Sequence, residues 1–172
     1  MTSLPPIIGL LGRSRRGKDT IAEYIIKKYP VYKNIKLAKP IKDAARSLYD
    51  FTYEQVEGAE KEIIDRRWNI TPRDALVFIT TSFMNKMGTD FFSRRLFDNL
   101  AIDDKVIISD VRYQNDIEEI KKRNGIVIKV LRDIEPNHNW ESHIDNFTDN
   151  INYTINNNGS LKDLYNQIDQ II

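Results

Sequence analysis

The feature that most constrains this chain is Gly12-Arg-Ser-Arg-Arg-Gly17-Lys18-Asp19-Thr20, set between two apolar segments of different period. Ahead of it, Ile7, Ile8, Leu10 and Leu11 suit a buried strand. Behind it, Ile21, Ala22, Ile25 and Ile26 fall on one helical face until Pro30 stops the run. The spacing G-x-x-x-x-G-K between strand and helix is the phosphate-binding loop, or P-loop, pattern. Its glycines let the backbone turn tightly so that successive N–H groups face one concavity. The helix N-terminus adds partial positive charge, and the Lys18 ammonium reaches the outer phosphates. A nucleotide polyphosphate is the expected ligand, held by Gly12, Arg13, Ser14, Arg16, Gly17, Lys18, Asp19 and Thr20. Asp19 stands where this pattern usually places Ser or Thr, and the hydroxyl comes one residue later at Thr20.

Composition removes several alternatives. The 172 residues fit one domain with a substantial core, and 26 basic against 25 acidic side chains leave a net charge of +1. That balance gives no whole-chain case for nucleic-acid binding. The absence of cysteine excludes disulfides, thiol nucleophiles and cysteine-ligated zinc, and two histidines are too few for a histidine-rich metal site. No apolar run reaches the roughly 20 residues that span a bilayer, and the first eleven residues do not read as a secretory signal. The expectation is a soluble chain of the cytoplasm, the host's if the source is viral, without a nucleic-acid or membrane partner; a homodimer stays open.

Further along, residues 34–37 read as a short strand, and Pro40 opens a helix with Ile41, Ala44, Ala45 and Leu48 inward. A short helix is expected over 51–58 and an irregular charged stretch to 70. Thr71-Pro72 reads as a helix N-cap and first position, with Gly88 at the end and another helix from Thr89-Asp90 to about Leu100. A strand over 106–110, a helix over 115–124, a strand over 126–131, a polar irregular stretch over 133–150, a strand over 151–155 and a helix capped by Ser160 complete the chain. Buried strands alternating with helices predict a three-layer α/β fold, a parallel sheet of about five strands with helices on both faces. Residues 1–172 read as a single domain with 51–100 as an insertion. Ligands of such sheets bind beyond the strands' carboxyl ends, which predicts a rim of residues 12–20, 38–42, 110–115 and 132–139.

Three groups of residues carry candidate chemistry. Asp110 ends a buried strand, where a carboxylate can serve the metal or the P-loop, and Arg112 and Asn115 follow on the same loop. The alternative is an Asp110–Arg112 surface ion pair with Asn115 capping a helix. The cations Lys39, Lys42, Lys61, Arg66, Arg67, Arg73, Arg94 and Arg95 lie mostly in the insertion. Singly each could be a solvated helix face, but a phosphotransferase whose second substrate bears a phosphate needs such a set. Trp68 could stack on a base or simply pack. His138 and Glu141, three apart, read as a surface pair.

Several segments together resemble the deoxynucleoside monophosphate kinase family of bacteriophages and some large DNA viruses. They are the P-loop with its Asp after lysine, Leu37-Ala-Lys-Pro-Ile-Lys42, the run from Lys61 ending in Ile70-Thr-Pro-Arg73, and Gly88-Thr-Asp90. Ile108-Ser-Asp-Val-Arg-Tyr-Gln-Asn115, His138-x-x-Glu141 and Asn157-Asn-Gly-Ser-Leu161 complete the set. Phe83-Met-Asn-Lys-Met87 departs from that family's more compact run. The resemblance implies a P-loop kinase fold with a helical acceptor-binding or lid insertion. It further implies transfer of the γ-phosphoryl of ATP to a deoxynucleoside monophosphate with Mg²⁺. By that resemblance Lys42, Lys61, Arg73, Gly88, Thr89 and Asp90 face the acceptor, and Asp110, Arg112 and Asn115 line the cleft. Lys39, Arg67, Trp68 and Asn115 are further acceptor-binding candidates, and Lys18, Asp110 and Arg112 the catalytic ones. Thr20 and Asp110 serve the metal, largely through water.

Animal-type phosphomevalonate kinases share a Gly-Lys-Asp P-loop and are the nearest enzyme alternative. A P-loop ATPase or GTPase switch is the alternative of another class. Switch GTPases read guanine with Asn-Lys-x-Asp, whereas Asn85-Lys86 continues into Met87-Gly88.

Overall fold

The computed structural model describes residues 4–134 and 139–172. The elements in chain order are β1 (Ile7–Leu11), α1 (Lys18–Lys28), β2 (Lys33–Ile35), α2 (Lys39–Tyr49), α3 (Tyr53–Glu57), a 3₁₀ turn (Ala59–Glu62), α4 (Pro72–Met87) and α5 (Phe91–Asp98). They continue with β3 (Val106–Val111), α6 (Gln114–Lys122), β4 (Ile126–Leu131), a 3₁₀ segment (Asn139–Asn146), β5 (Tyr153–Asn156) and α7 (Leu161–Asp169). Two compact units result: a sheet unit of the residues up to Lys36 and from Leu96 onward, and a helical unit of Leu37–Arg95.

In the sheet unit the five strands are all parallel, in the order β2-β3-β1-β4-β5. All five β1 residues are buried, as their unbroken apolar run requires of a central strand. One face buries Ile8, Leu10, Ile107, Ile128, Val130 and Ile155 against Ile21 and Ile25 of α1 and Leu164 and Ile168 of α7. Each such isoleucine or leucine contributes on the order of 2 kcal/mol by leaving water. On the other face a Cβ at Gly9 would come within 2.5 Å of Ile120 Cδ1, so the missing side chain lets α6 close on the sheet. The chain crosses to opposite sides of β1 to build β3 and β4, which makes the carboxyl end of β1 the switch point where ligands bind in such sheets.

The helical unit has its own small core of Ile41, Ala45, Phe51, Val56, Ala75 and Ile79. Thr71 caps α4 as its sequence predicts, its Oγ1 accepting from Asp74 N at 3.1 Å, with Pro72 in the first turn and Gly88 after the last. The short second strand stops at Ile35, ahead of the expected end at 37, because the chain turns there toward α2. The stretch 133–150, expected to be irregular, contains the 3₁₀ segment, which buries Ile144 and Glu141. Among the described residues no helix is long and apolar enough to cross a membrane.

Candidate active site

The P-loop follows β1 directly and ends at Gly17, whose left-handed backbone (φ 93°) turns the chain into α1. Gly17 offers no side chain to cap that helix, so no side-chain bond competes for its first-turn N–H groups. Arg15 (φ 61°) supplies the second left-handed residue of the loop. Alternation of this kind forms an anion-binding nest. Two close approaches hold the loop in place. A Cβ at Gly12 would meet the Val130 carbonyl oxygen at 2.7 Å, and one at Gly17 would collide with the Asn157 amide. That amide donates from Nδ2 to Arg16 O at 2.9 Å, tying the end of β5 to the loop.

Lys18 is 8% exposed, and its Nζ donates to Gly12 O at 2.6 Å and Arg13 O at 2.7 Å. Burial and the nearby Arg112 guanidinium lower its pKa to about 8, against the pull of Glu141, Asp19 and Asp110. The same electrostatics place Lys18, Asp110 and Arg112 in one neighbourhood within the sheet unit.

The pairing of β1 with β3 runs Gly9 to Ile108 and then Leu11 to Val111, a slip of one residue across Ser109-Asp110. Such an irregularity re-aims side chains at a strand end. Ser109 Oγ there donates to Asp19 Oδ1 at 3.2 Å, and the Lys36 ammonium lies 2.9 Å from the same oxygen. Burial alone would raise the Asp19 pKa, but Lys36 and Ser109 outweigh it and hold the carboxyl below its ordinary value. The Asp after the P-loop lysine and the Ser of the Ser-Asp-Val-Arg strand end are therefore one hydrogen-bonded unit. Asn115 lies in the first turn of α6, and it is Asp116 that takes the capping role, accepting from Arg112 N at 3.0 Å and Tyr113 N at 2.9 Å.

The largest departure from expectation is Glu141. It is 2% exposed rather than on the surface. Its carboxylate accepts from Ser14 N at 2.8 Å and Ser14 Oγ at 3.0 Å and forms an ion pair with Arg112. Burial pushes its pKa up, but Arg112 and the Ser14 donors prevail and keep it ionised. One turn on, Asp145 pairs with Arg13 at 2.6 Å and Arg16 at 3.0 Å. His143 Nε2 lies 3.0 Å from Arg112 O, and its ring stacks on Tyr113. Lys129 Nζ donates to Asp145 O and Phe147 O, both at 2.8 Å, fastening the segment to β4. Asp145, His143 and Asn157 carried no assigned role in the sequence. Two apolar residues three apart, Ile144 and Phe147, are too few to mark the polar stretch as ordered. His138 lies outside the described residues.

The expected acceptor residues other than Asn115, which stands on α6 of the sheet unit, lie in the helical unit. Lys42 Nζ donates to Glu57 Oε2 at 2.5 Å, Lys61 Nζ to Glu57 O at 3.2 Å, and Arg73 Nε to Glu62 Oε1 at 2.5 Å. These three cations are thus gathered around α3 and its 3₁₀ turn. Lys39 pairs with Asp43 along the exposed face of α2 at 2.6 Å. Arg67 grips Asp65, which with Gln55 holds that carboxyl well below the usual range, and Trp68 Nε1 donates to Tyr49 O at 2.8 Å. Gly88, Thr89 and Asp90 form the turn between α4 and α5, where Gly88 N donates to Met84 O at 3.0 Å.

Among the described residues no three His, Asp or Glu side chains gather into a metal-holding group. Thr20 and Asp110 offer a hydroxyl and one carboxylate. Thr20 also lines a hollow with Tyr24, Lys27 and Tyr165. Of the two it is therefore the Asp110 carboxylate whose chemistry fits a Mg²⁺ ion, which keeps several waters and takes few protein ligands when phosphates supply the rest.

A five-stranded parallel sheet in this order, with the loop at its switch point, defines the P-loop kinase class of α/β proteins. The whole chain aligns with a solved member of that class, shikimate kinase from Bacteroides thetaiotaomicron. The match covers 98% of this chain and 97% of that one, at a TM-score of 0.51 and 13% identity, a likeness of fold alone. Shikimate kinase from Aquifex aeolicus aligns over 96% and 92% at a TM-score of 0.48 and 10% identity. No protein-family model matches. A protein of Acanthamoeba polyphaga mimivirus named "Putative deoxynucleotide monophosphate kinase" is 32% identical over 143 residues, 73% of this chain and 74% of that protein. The chain belongs to the deoxynucleotide monophosphate kinase family.

Proposed function

We propose that this phosphotransferase passes the γ-phosphoryl of ATP to the phosphate of a deoxynucleoside monophosphate, giving the diphosphate and ADP. The observation that carries the reading is the second cation group, Lys42, Lys61 and Arg73, in addition to the P-loop set. A protein that only bound a nucleotide would need the first set; an acceptor that is itself a phosphate calls for the second. Membership of the family supports a deoxynucleotide as that acceptor.

In this reading the P-loop N–H groups and the α1 N-terminus hold the ATP phosphates. Lys18 and Arg112 offset the charge that spreads over the phosphoryl group during transfer. Asp19, oriented by Ser109 and Lys36, keeps the loop's helix end in register with the β3 end. Mg²⁺, when bound near Asp110, supplies further neutralisation of the phosphates. The acceptor phosphate is already ionised at neutral pH, so the chain needs no strong general base, and its contribution is positioning and electrostatics. The helical unit, with Lys39, Arg67, Trp68 and the 88–90 turn alongside the three central cations, is assigned to the acceptor.

A coupled assay of ADP formation across deoxynucleoside monophosphates, ribonucleoside monophosphates and phosphomevalonate tests this. ADP release that depends on a deoxynucleoside monophosphate is expected. Dependence on phosphomevalonate alone would move the acceptor to an isoprenoid phosphate, and hydrolysis indifferent to any acceptor would end the kinase reading.

A further inference from the structure

We propose that Glu141, anchored on Ser14 of the P-loop, is a positioning residue for phosphoryl transfer that acts through Arg112 at the β3 end. This rests on the kinase reading above for its activity test, and on the ligand-free geometry for its argument.

An ionised carboxylate is costly to bury unless its oxygens are fully used. Glu141 is nearly inaccessible, and its two oxygens divide the work. Oε2 takes both Ser14 donors, while Oε1 takes the Arg112 guanidinium. Ser14 belongs to the loop after β1, and Arg112 to the loop after β3. The two loops are separate in sequence, and one buried side chain from a third segment joins them. His143, two residues later, reinforces the link by meeting the Arg112 carbonyl. Asp145 holds Arg13 and Arg16 from the same segment. Glu141 is thus the inner of two acidic anchors on the 3₁₀ segment.

The consequence for Arg112 is geometric. A free arginine samples many rotamers, and ordering a long side chain costs up to about 2 kcal/mol of conformational entropy. Glu141 meets that cost in the folded protein, before any substrate arrives, so a guanidinium beside Lys18 is preorganised for developing phosphoryl charge. A residue with this role affects turnover only while the group it positions is present.

The test is a double-mutant cycle with Glu141→Gln, which keeps shape and removes charge, and Arg112→Ala, read on kcat and on calorimetric affinity for ADP. Glu141→Gln is expected to lower kcat by about ten- to a hundredfold, in the range lost when an orienting partner is removed. It should move the KM for the monophosphate by less than about threefold, because the acceptor's cations are elsewhere. In the Arg112→Ala background the same change should cost no more than about twofold. Glu141→Asp, which restores the charge, should recover part of the loss. Losses that multiply across the cycle, or a Glu141→Gln protein with wild-type turnover, would overturn the proposal. So would failure of both Glu141 variants to fold, which would make the residue purely structural. If the wild-type protein phosphorylates no monophosphate, the kinase reading fails on its own. The cycle is then read on ADP affinity, where non-additive losses support the positioning role and additive ones refute it.

Discussion

Arg13, Arg16 and Arg112 of the sheet unit and Lys42 and Arg73 of the helical unit are all paired with acidic side chains, but over different spans of chain. Ser14 and Arg16 reach partners 127 and 129 residues away, and Arg112 one 29 residues away. Lys42 and Arg73 reach only 15 and 11 residues. The long-range set also includes the most buried carboxylate of either group, Glu141, whereas Glu62 opposite Arg73 is half exposed. Long-range buried pairs exist only when the whole sheet unit has folded, so they fix geometry. Of the local pairs, Arg73–Glu62 has a half-exposed carboxylate and belongs with the solvated pairs that contribute little stability, whereas Lys42 and Glu57 are only 14% and 29% exposed. The donor side of the proposed reaction is therefore braced from distant parts of its unit. The acceptor side is held by near neighbours in sequence, with Arg73 the cation best placed to leave its glutamate for a phosphate.

The largest expected effect breaks the donor side. Lys18→Ala should lower kcat by about tenfold to a thousandfold with the circular dichroism spectrum unchanged. Turnover near wild type would remove the P-loop from the chemistry. On the acceptor side, Arg73→Ala should raise the KM for the monophosphate by about tenfold, as loss of one charge-assisted bond predicts, and leave the KM for ATP within about twofold. An equal rise in both would erase the division between the two units.

Acidity separates the two regions as well. With its pKa lowered to about 8 by burial and Arg112, Lys18 is charged below that pH and neutral above it. The kcat/KM for ATP should therefore be level to about pH 8 and fall beyond it, whereas Lys18→Arg, slower throughout, should lose that alkaline limb. Stability moves the other way. The unfolded lysine keeps its proton to its ordinary value of 10.5, so the cost of burying the charge is present below about pH 8 and is relieved as pH rises from there through 10.5. The smallest effect concerns the caps. Thr71→Ala in the helical unit and Ser160→Ala in the sheet unit should each cost about 1 kcal/mol in denaturant unfolding. A single shared transition would show the units melting together, and two transitions would show them melting apart.

Much of this was legible in the chain. The apolar run Ile7 to Leu11, the glycine spacing behind it and the caps at Thr71 and Ser160 identified β1, the loop and two helices with their starts. These signals are local: a strand's burial, a helix's first turn and a tight loop are each written within about ten residues. The bond between Ser109 and Asp19 was half legible, since both residues stood in the motifs that suggested the family, but nothing in their spacing said that they touch. Glu141 was misread for the same reason. A carboxylate in a polar stretch looks solvated until its partners, Ser14 and Arg112, arrive from elsewhere in the chain.

By itself the sequence determined the parallel α/β class, the position of the phosphate-binding loop and the supply of cations, because each depends on local pattern and residue chemistry. Only the tertiary structure decided which cations are held from across the chain and which by near neighbours, what the aspartate after Lys18 bonds to, and that a polar segment near residue 141 braces the loop. Those are facts about which side chains meet once the chain has folded, and at Glu141 they meet in a water-poor interior, where an unpaired charge is too costly to keep.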